Sequence, residues 1–306
     1  MQHRQINIFL MILLSSAIVF MSVNLIRLYR NSAYLPEETV DSIVSVLARD
    51  NIRISPSIIP TKLERGTVYV CSSEDYSKTV AQLLGNSKAK AEYIIPDGSI
   101  LILENGARVS FGNNFSFRFS LDGSPQSVYD TSSVFENAAE PDTKTRENIA
   151  KIVMDFLDSG SRQFDTSNMS IVTVVESVAE KDGVYYALCT RTIDGVAMTA
   201  NRVICTIVDS AVREAEGSWS FLTLGQSYSA QLSDLFNILF SVRKEIAAAN
   251  ENISSAVTIE SIDLCYSMYY YGDKEDFCLI PCWQIATDLC GNFIYNALDS
   301  TLYTIN

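Results

Sequence analysis

The chain has 306 residues, with 23 Lys and Arg against 36 Asp and Glu, and its only histidine is His3. Residues 31–306 hold 20 basic and 36 acidic residues, a net charge of −16, which argues against nucleic acid as a partner because phosphates bind basic surfaces. Since no histidine follows residue 3, a His-dependent catalytic triad and a His-ligated metal site are excluded from residues 31–306.

The first predicted element is a transmembrane helix at residues 6–26, which follows a short tail at residues 1–5. This stretch has no charged residue and would extend about 30 Å as a helix, the thickness of the hydrocarbon core of a bilayer. Arg4 precedes it, and Arg27 and Arg30 follow it, where their side chains can reach the headgroups. A cleaved signal peptide is the alternative, but the length of the apolar run favours a retained anchor.

The residue spacing of this helix allows one face to contact a partner within the membrane. Small residues on such a face let two helices approach closely in lipid. The alternative is an anchor whose serines have no partner. The face carries residues at the a and d spacing: Ile8, Met11, Ser15, Ile18, Ser22 and Leu25.

Residues 31–122 are predicted to form a first α+β domain. A helix opens at Pro36-Glu37-Glu38-Thr39, where acidic residues favour the positive end of the helix dipole, and Asn51 is a plausible end. An extended stretch over residues 52–59, a short strand over residues 67–71 and a second helix over residues 76–84 follow.

Turn residues then indicate a β-meander in the same domain. Pro96-Asp97-Gly98 and Asn105-Gly106 bracket an apolar strand over residues 99–103, and an Asn-Gly pair between such runs is a strong hairpin signal. The next strand is predicted from four aromatic residues that alternate with polar ones: Phe111, Phe115, Phe117 and Phe119.

Residues 123–144 have few aliphatic side chains and are predicted to be a surface linker. A second α+β domain, residues 145–306, repeats the order of helix and meander. Its predicted helices cover residues 146–157 and 232–247, and its predicted strands cover residues 171–178, 184–192, 196–208 and the span from 257 to 303. The predicted fold class is therefore α+β, with a single amino-terminal transmembrane helix and two modules in which helices pack on antiparallel sheets.

Two stretches of the second domain are candidate surface sites. An acidic turn over residues 273–276 could hold a cation, although an exposed turn is the commoner role of such a sequence. Tyr266, Tyr269, Tyr270 and Tyr271 could stack a sugar or peptide, but a strand that divides its tyrosines between core and rim is favoured.

Seven cysteines leave at least one thiol unpaired in a monomer. Cys278, Cys282 and Cys290 are the only close group, and burial as small apolar residues is favoured, with a Cys282–Cys290 disulfide left open. Trp283 is predicted to be a core residue. Neither a cofactor nor a metal is predicted, and no catalytic motif is present in the sequence.

The carboxy-terminal strands resemble the closing signature of a known family. Their sequences are residues 259–266, Leu279-Ile280-Pro281-Cys282-Trp283-Gln284-Ile285 and Gly291-Asn292-Phe293-Ile294-Tyr295-Asn296-Ala297. Together with the single anchor and the Leu35-Pro36-Glu37-Glu38 helix start, they are similar to the YycI/YycH family, closer to YycI. Members are membrane-anchored accessory regulators of the WalK (YycG) sensor histidine kinase of Gram-positive bacteria.

The resemblance implies an amino terminus in the cytoplasm and residues 31–306 outside the cell membrane, an orientation that the flanking charges leave undecided. It also implies a non-enzymatic role in which the helix contacts the transmembrane helices of the kinase, with a paralogous YycH-type regulator as a further partner. The alternative function is an exported cell-wall-binding protein or a carboxylate-dependent wall hydrolase. A pair of Asp or Glu residues in a deep cleft would favour that alternative.

Overall fold

The computed structural model describes residues 21, 35–62, 65–72, 77–122, 134–161, 171–221, 223–249, 255–270 and 277–303. Within these residues the protein is α+β and is dominated by antiparallel strands, which confirms the predicted class. The predicted transmembrane helix falls outside the described residues except for Met21. None of the helices in the described part is both long and apolar enough to cross a bilayer.

The described helices are α1 (Glu37–Arg49), α2 (Ser77–Gly85), α3 (Val134–Asn137), α4 (Thr143–Ser161) and α5 (Leu235–Ala249). The first described strands are β1 (Ile52–Ile54), β2 (Arg65–Ser72), β3 (Ala89–Ile95), β4 (Gly98–Leu103), β5 (Arg108–Gly112), β6 (Ser116–Ser120) and β7 (Ile171–Lys181). The remaining ones are β8 (Val184–Ile193), β9 (Val196–Val208), β10 (Ala211–Ser218), β11 (Thr223–Gln231), β12 (Val257–Tyr270), β13 (Phe277–Thr287) and β14 (Gly291–Asn296).

The chain divides into two compact units. Unit 1 comprises Met1–Gly66, Ser229–Asp263 and Trp283–Asn306, and unit 2 comprises Thr67–Tyr228 and Leu264–Cys282. The predicted segments 31–122 and 145–306 both contribute residues to each unit. The described part of the predicted linker contains helix α3.

Unit 2 contains a run of antiparallel strands in the order β3, β4, β5, β6, β10, β9, β8, β7. Helices α2 and α4 share one buried cluster with the strands because their apolar residues recur at helical spacing and the strands alternate. The helices supply Val80, Leu84, Ile149, Val153 and Leu157, and the strands supply Leu101, Leu103, Val109, Phe117 and Phe119, among others.

Unit 1 contains α1, α5 and the short strand β1. In it, β1 pairs in parallel with the start of β12, with Ile52 opposite Val257. The buried stripes of the two helices are Val40, Ile43 and Leu47 on α1, and Leu235, Ile238, Leu239, Val242 and Ile246 on α5. A salt bridge between Asp50 and Arg243 links the end of α1 to α5.

The single strand predicted from the alternating phenylalanines is wrong. The structure ends β5 at Gly112, inserts a 3₁₀ turn over Asn113–Phe115, and begins β6 at Ser116. Phe115 takes a positive φ of 58°, a conformation that interrupts a strand. Its carbonyl accepts a hydrogen bond from the Trp219 backbone, and its ring packs on Phe277, so tertiary contacts select the turn.

Candidate functional site

The partner-binding face predicted on the transmembrane helix lies outside the described residues. The face therefore stays a prediction. The six residues concerned are Ile8, Met11, Ser15, Ile18, Ser22 and Leu25.

The tyrosines of β12 divide between the core and the surface. Tyr266 is buried and Tyr269 is 44% exposed, which confirms the favoured interpretation for these two residues. The Tyr69 hydroxyl donates a 3.0 Å hydrogen bond to Oδ2 of Asp194, and the Tyr69 and Tyr266 rings meet edge to face at 5.4 Å. Burial raises the pKa of both phenols and so favours their protonated forms. This cluster closes the core beside a hairpin turn.

The acidic turn and the rest of the tyrosine group, both candidate sites in the sequence, lie outside the described residues. They are the acidic turn at residues 273–276, Tyr271, and the side chain of Tyr270. Within the described chain, no three His, Cys, Asp or Glu residues come together in a way that could hold a metal ion.

All seven cysteines are free thiols, and five of them are buried. Burial of Cys282 confirms its predicted role as a small apolar residue, and the structure has Cys282 and Cys290 unbonded. Burial raises the pKa of Cys71 to about 12. The pKa of Cys205 is raised first by its hydrogen bond with Cys189 and then by burial. Because the thiolate is the reactive form, Cys71 and Cys205 are suited to the core and not to nucleophilic chemistry.

A buried guanidinium in β8 is a feature that the sequence analysis missed. Arg191 is only 4% exposed, its Nη1 donates to the Ser220 carbonyl, and its Cζ lies 5.3 Å from the centroid of the Trp219 ring. Asn201 Oδ1 accepts hydrogen bonds from both the backbone N–H and the hydroxyl of Ser220. These contacts fix the segment after β10. The only signal was an arginine within an otherwise apolar and Thr-rich strand.

Two carboxylates lie on the same face of β10, at Glu214 and Glu216. Burial raises the pKa of Glu214, and the positive charge of nearby Arg118 partly offsets this rise. Arg118 Nη2 contacts Glu216 Oε2 at 3.0 Å, with both side chains about 40% exposed. Hydrolases of glycosidic bonds use a pair of carboxyl groups, although these two lie on a half-exposed strand surface.

Strand β3 exposes consecutive apolar side chains. Ile94 is 87% exposed, Tyr93 is 55% exposed and Ile95 is 39% exposed. Among the described residues, β3 pairs only with β4. Exposed apolar residues on a strand edge are typical of a surface that pairs with another chain.

Comparisons with known proteins assign no function to the chain. No protein-family model and no curated protein matches the chain. Among solved structures, the chain is similar to an uncharacterized protein from Eubacterium rectale ATCC 33656, with a TM-score of 0.48 and 11% identity. The match covers 83% of this chain and 90% of that chain. At this score the similarity transfers no function.

Proposed function

We propose that the chain is a non-enzymatic, membrane-anchored accessory regulator of a two-component sensor histidine kinase that controls cell-wall metabolism. The observation that carries this proposal is the uncharged stretch at residues 6–26, in which the spacing of Ser15 and Ser22 would put both on one face of a helix. It precedes a strongly acidic α+β part, residues 31–306. The resemblance to the YycI/YycH family supports the same role.

In the proposed mechanism, the helix regulates the kinase by packing against its transmembrane helices. In lipid there is no hydrophobic drive between helices, so close packing and hydrogen bonds decide the association. Such a hydrogen bond contributes only about 0.6 kcal/mol on average, so backbone approach at the two serines is the larger requirement. The amino terminus lies in the cytoplasm and residues 31–306 lie outside, where a paralogous YycH-type regulator is a further partner.

The chemistry of the described polar groups supports a structural role for them. Arg191 and Tyr69 make hydrogen bonds within the protein, and the raised pKa values of Cys71 and Cys205 disfavour their thiolates. These groups hold strands and turns in place. They therefore supply a stable extracytoplasmic part for an anchored regulator.

The test changes one face of the helix at a time. Ser15→Leu combined with Ser22→Leu keeps insertion favourable but separates the backbones of packed helices. Ser16→Leu, about 100° away around the helix, is the matched control. Expression of the kinase's target genes is measured at equal protein abundance, and we expect a change only in the double variant. Equal effects from both faces, or full activity with an unrelated anchor, would contradict regulation through the helix.

The proposed orientation has its own test. Protease added to intact protoplasts should digest residues 31–306, since these residues lie outside in the proposal. A cytosolic protein in the same cells should survive, as the control for membrane integrity. Protection of residues 31–306 under these conditions would show the opposite orientation.

A carboxylate-dependent wall hydrolase is the second candidate, and one observation favours it: Glu214, whose pKa burial raises, shares a face of β10 with Glu216. Such an enzyme would release soluble fragments from purified cell walls, and Glu214→Gln would abolish the release. An exported wall-binding protein would instead bind the walls without cleaving them. Release by the wild type and none by Glu214→Gln would favour the hydrolase over the regulator.

A further inference from the structure

The edge of β3 that no described strand pairs with is short and well bounded. A register shift lies between Ala89 and Ala91 where β3 pairs with β4, and Pro96, which has no N–H, follows Ile95. Between these two points the pairing with β4 is regular over residues 91–95. A strand added to this edge therefore has five residues with which to pair.

The two faces of this edge differ in chemistry. Residues opposite each other in the ladder share a face, so Glu92 and Ile94 lie on the face of Leu101 and Ser99. Tyr93 lies on the other face with Ile100. An added strand would cover apolar side chains on both faces.

The alternation of backbone groups along this segment allows it to pair with the same segment of a second copy of the chain. In an antiparallel pair, backbone groups alternate between pointing toward a partner and pointing away. Two copies of one edge can pair only if the backbone N–H and C=O groups of opposite residues point in the same sense, both toward the partner or both away from it. This condition is met when the two-fold axis passes through a residue, because residues equally far on either side of that residue have the same backbone orientation. The five regular residues overlap completely only when Tyr93 is the centre.

The side chains that this register places opposite each other favour it over the neighbouring register. It places Glu92 opposite Ile94 of the second copy, Ala91 opposite Ile95, and the two Tyr93 rings opposite each other. Aromatic pairs stabilise antiparallel strands. The neighbouring register centred on Glu92 would oppose two carboxylates, which is destabilising.

We infer that β3 is a homodimerisation edge, on which residues 91–95 pair antiparallel with the same residues of a second copy around a two-fold axis at Tyr93. The interface is isologous, and it joins the two copies through backbone hydrogen bonds. The inference uses only residues of unit 2 and does not depend on the proposed function.

Disulfide crosslinking of the full-length protein tests the register. The protein is kept in detergent with micelles in excess, and copper–phenanthroline oxidises paired thiols while oxygen accepts the electrons. Directly opposite residues in a ladder have Cα atoms about 4.5–5.5 Å apart, within the range of a disulfide. We expect Tyr93→Cys to give a covalent dimer. Glu92→Cys is the matched control. In this register the two residues at position 92 are diagonal neighbours about 7–8 Å apart, which is too far for a disulfide.

Substitutions at Ile94 test whether this residue lies opposite Glu92 of the second copy. On the Tyr93→Cys background, Ile94→Glu opposes Glu92 of the second copy and should lower the crosslinking yield about tenfold. Ile94→Lys places opposite charges together and should retain the yield. Because Ile94 is 87% exposed, neither substitution should affect folding. Combining Ile94→Glu with Glu92→Lys should restore the dimer.

Three results would overturn the inference. Equal crosslinking through positions 92 and 93 would show that the register is wrong. Equal losses from Ile94→Glu and Ile94→Lys would show apolar association without strand pairing. A yield from Tyr93→Cys no higher than that of the wild type, whose own thiols set the background, would show that this edge does not meet a second copy. Another segment of the chain or the micelle surface would then cover it.

Discussion

Replacement of Trp283 by alanine should destabilise the protein by about 3–5 kcal/mol, the range for large core truncations. Trp283 is 5% exposed in unit 1, so nearly its whole side chain leaves water on folding. With about 200 Å² of side-chain area and about 25 cal/mol per Å², its burial contributes about 5 kcal/mol. That value is an upper estimate because the unfolded chain already buries part of its apolar surface.

Urea unfolding of the full-length protein in detergent, followed by circular dichroism, measures the difference. Leu289→Ala in the same unit is the control, and it should cost about 1 kcal/mol or less because Leu289 is already 48% exposed. Trp283→Phe should fall between the two, since the indole N–H has no hydrogen-bond partner among the described residues. If Trp283→Ala unfolded within about 0.5 kcal/mol of the wild type, as surface substitutions do, the core assignment would be refuted.

The hairpin and the buried thiols give further predictions. Gly98→Ala should destabilise the β3–β4 hairpin by more than about 2 kcal/mol in urea unfolding, because its Cβ would lie 1.9 Å from the Phe111 carbonyl oxygen. Gly106→Ala, also at positive φ but facing open space, should cost only about 1 kcal/mol, and equal losses would contradict the clash. Between pH 9 and about 12 the unfolded chain loses the Cys71 proton while the folded chain keeps it, so the free energy of unfolding should fall as pH rises. Cys71→Ala should flatten that decline, and an unchanged pH profile would contradict the raised pKa. Alkylation of the folded protein followed by mass spectrometry should label Cys278 and Cys290 before the five buried cysteines, and earlier labelling of Cys71 would contradict its burial.

The elements that depend on local sequence were predictable. Helix α1 begins one residue after Pro36, and the Asn105-Gly106 turn joins β4 to β5, because apolar spacing and turn residues act over a few positions. The strands β3, β10 and β11 were missed, and β3 and β10 show why. Both contain Ala, Lys, Arg or Glu, which favour helices, and pairing with neighbouring strands outweighs that preference.

Long-range pairing and the polar core were beyond sequence reasoning. Strand β6 pairs with β10 across about a hundred residues, and β1 pairs with β12 across about two hundred, so no local pattern specifies either partner. Burial of Cys282 followed from its apolar neighbours. The contact of Arg191 with Trp219 did not, because its partner lies 28 positions away and is met only through the fold.

The two tryptophans of the chain lie one in each unit, Trp219 in unit 2 and Trp283 in unit 1. Both are buried, so each indole should emit at short wavelength in the native state and shift to the red when its surroundings open to water. Trp283→Phe leaves a spectroscopic reporter for unit 2 alone, and Trp219→Phe leaves one for unit 1 alone. The protein thus carries an intrinsic fluorophore for each half of its fold, and the two emission curves will show whether the halves melt together.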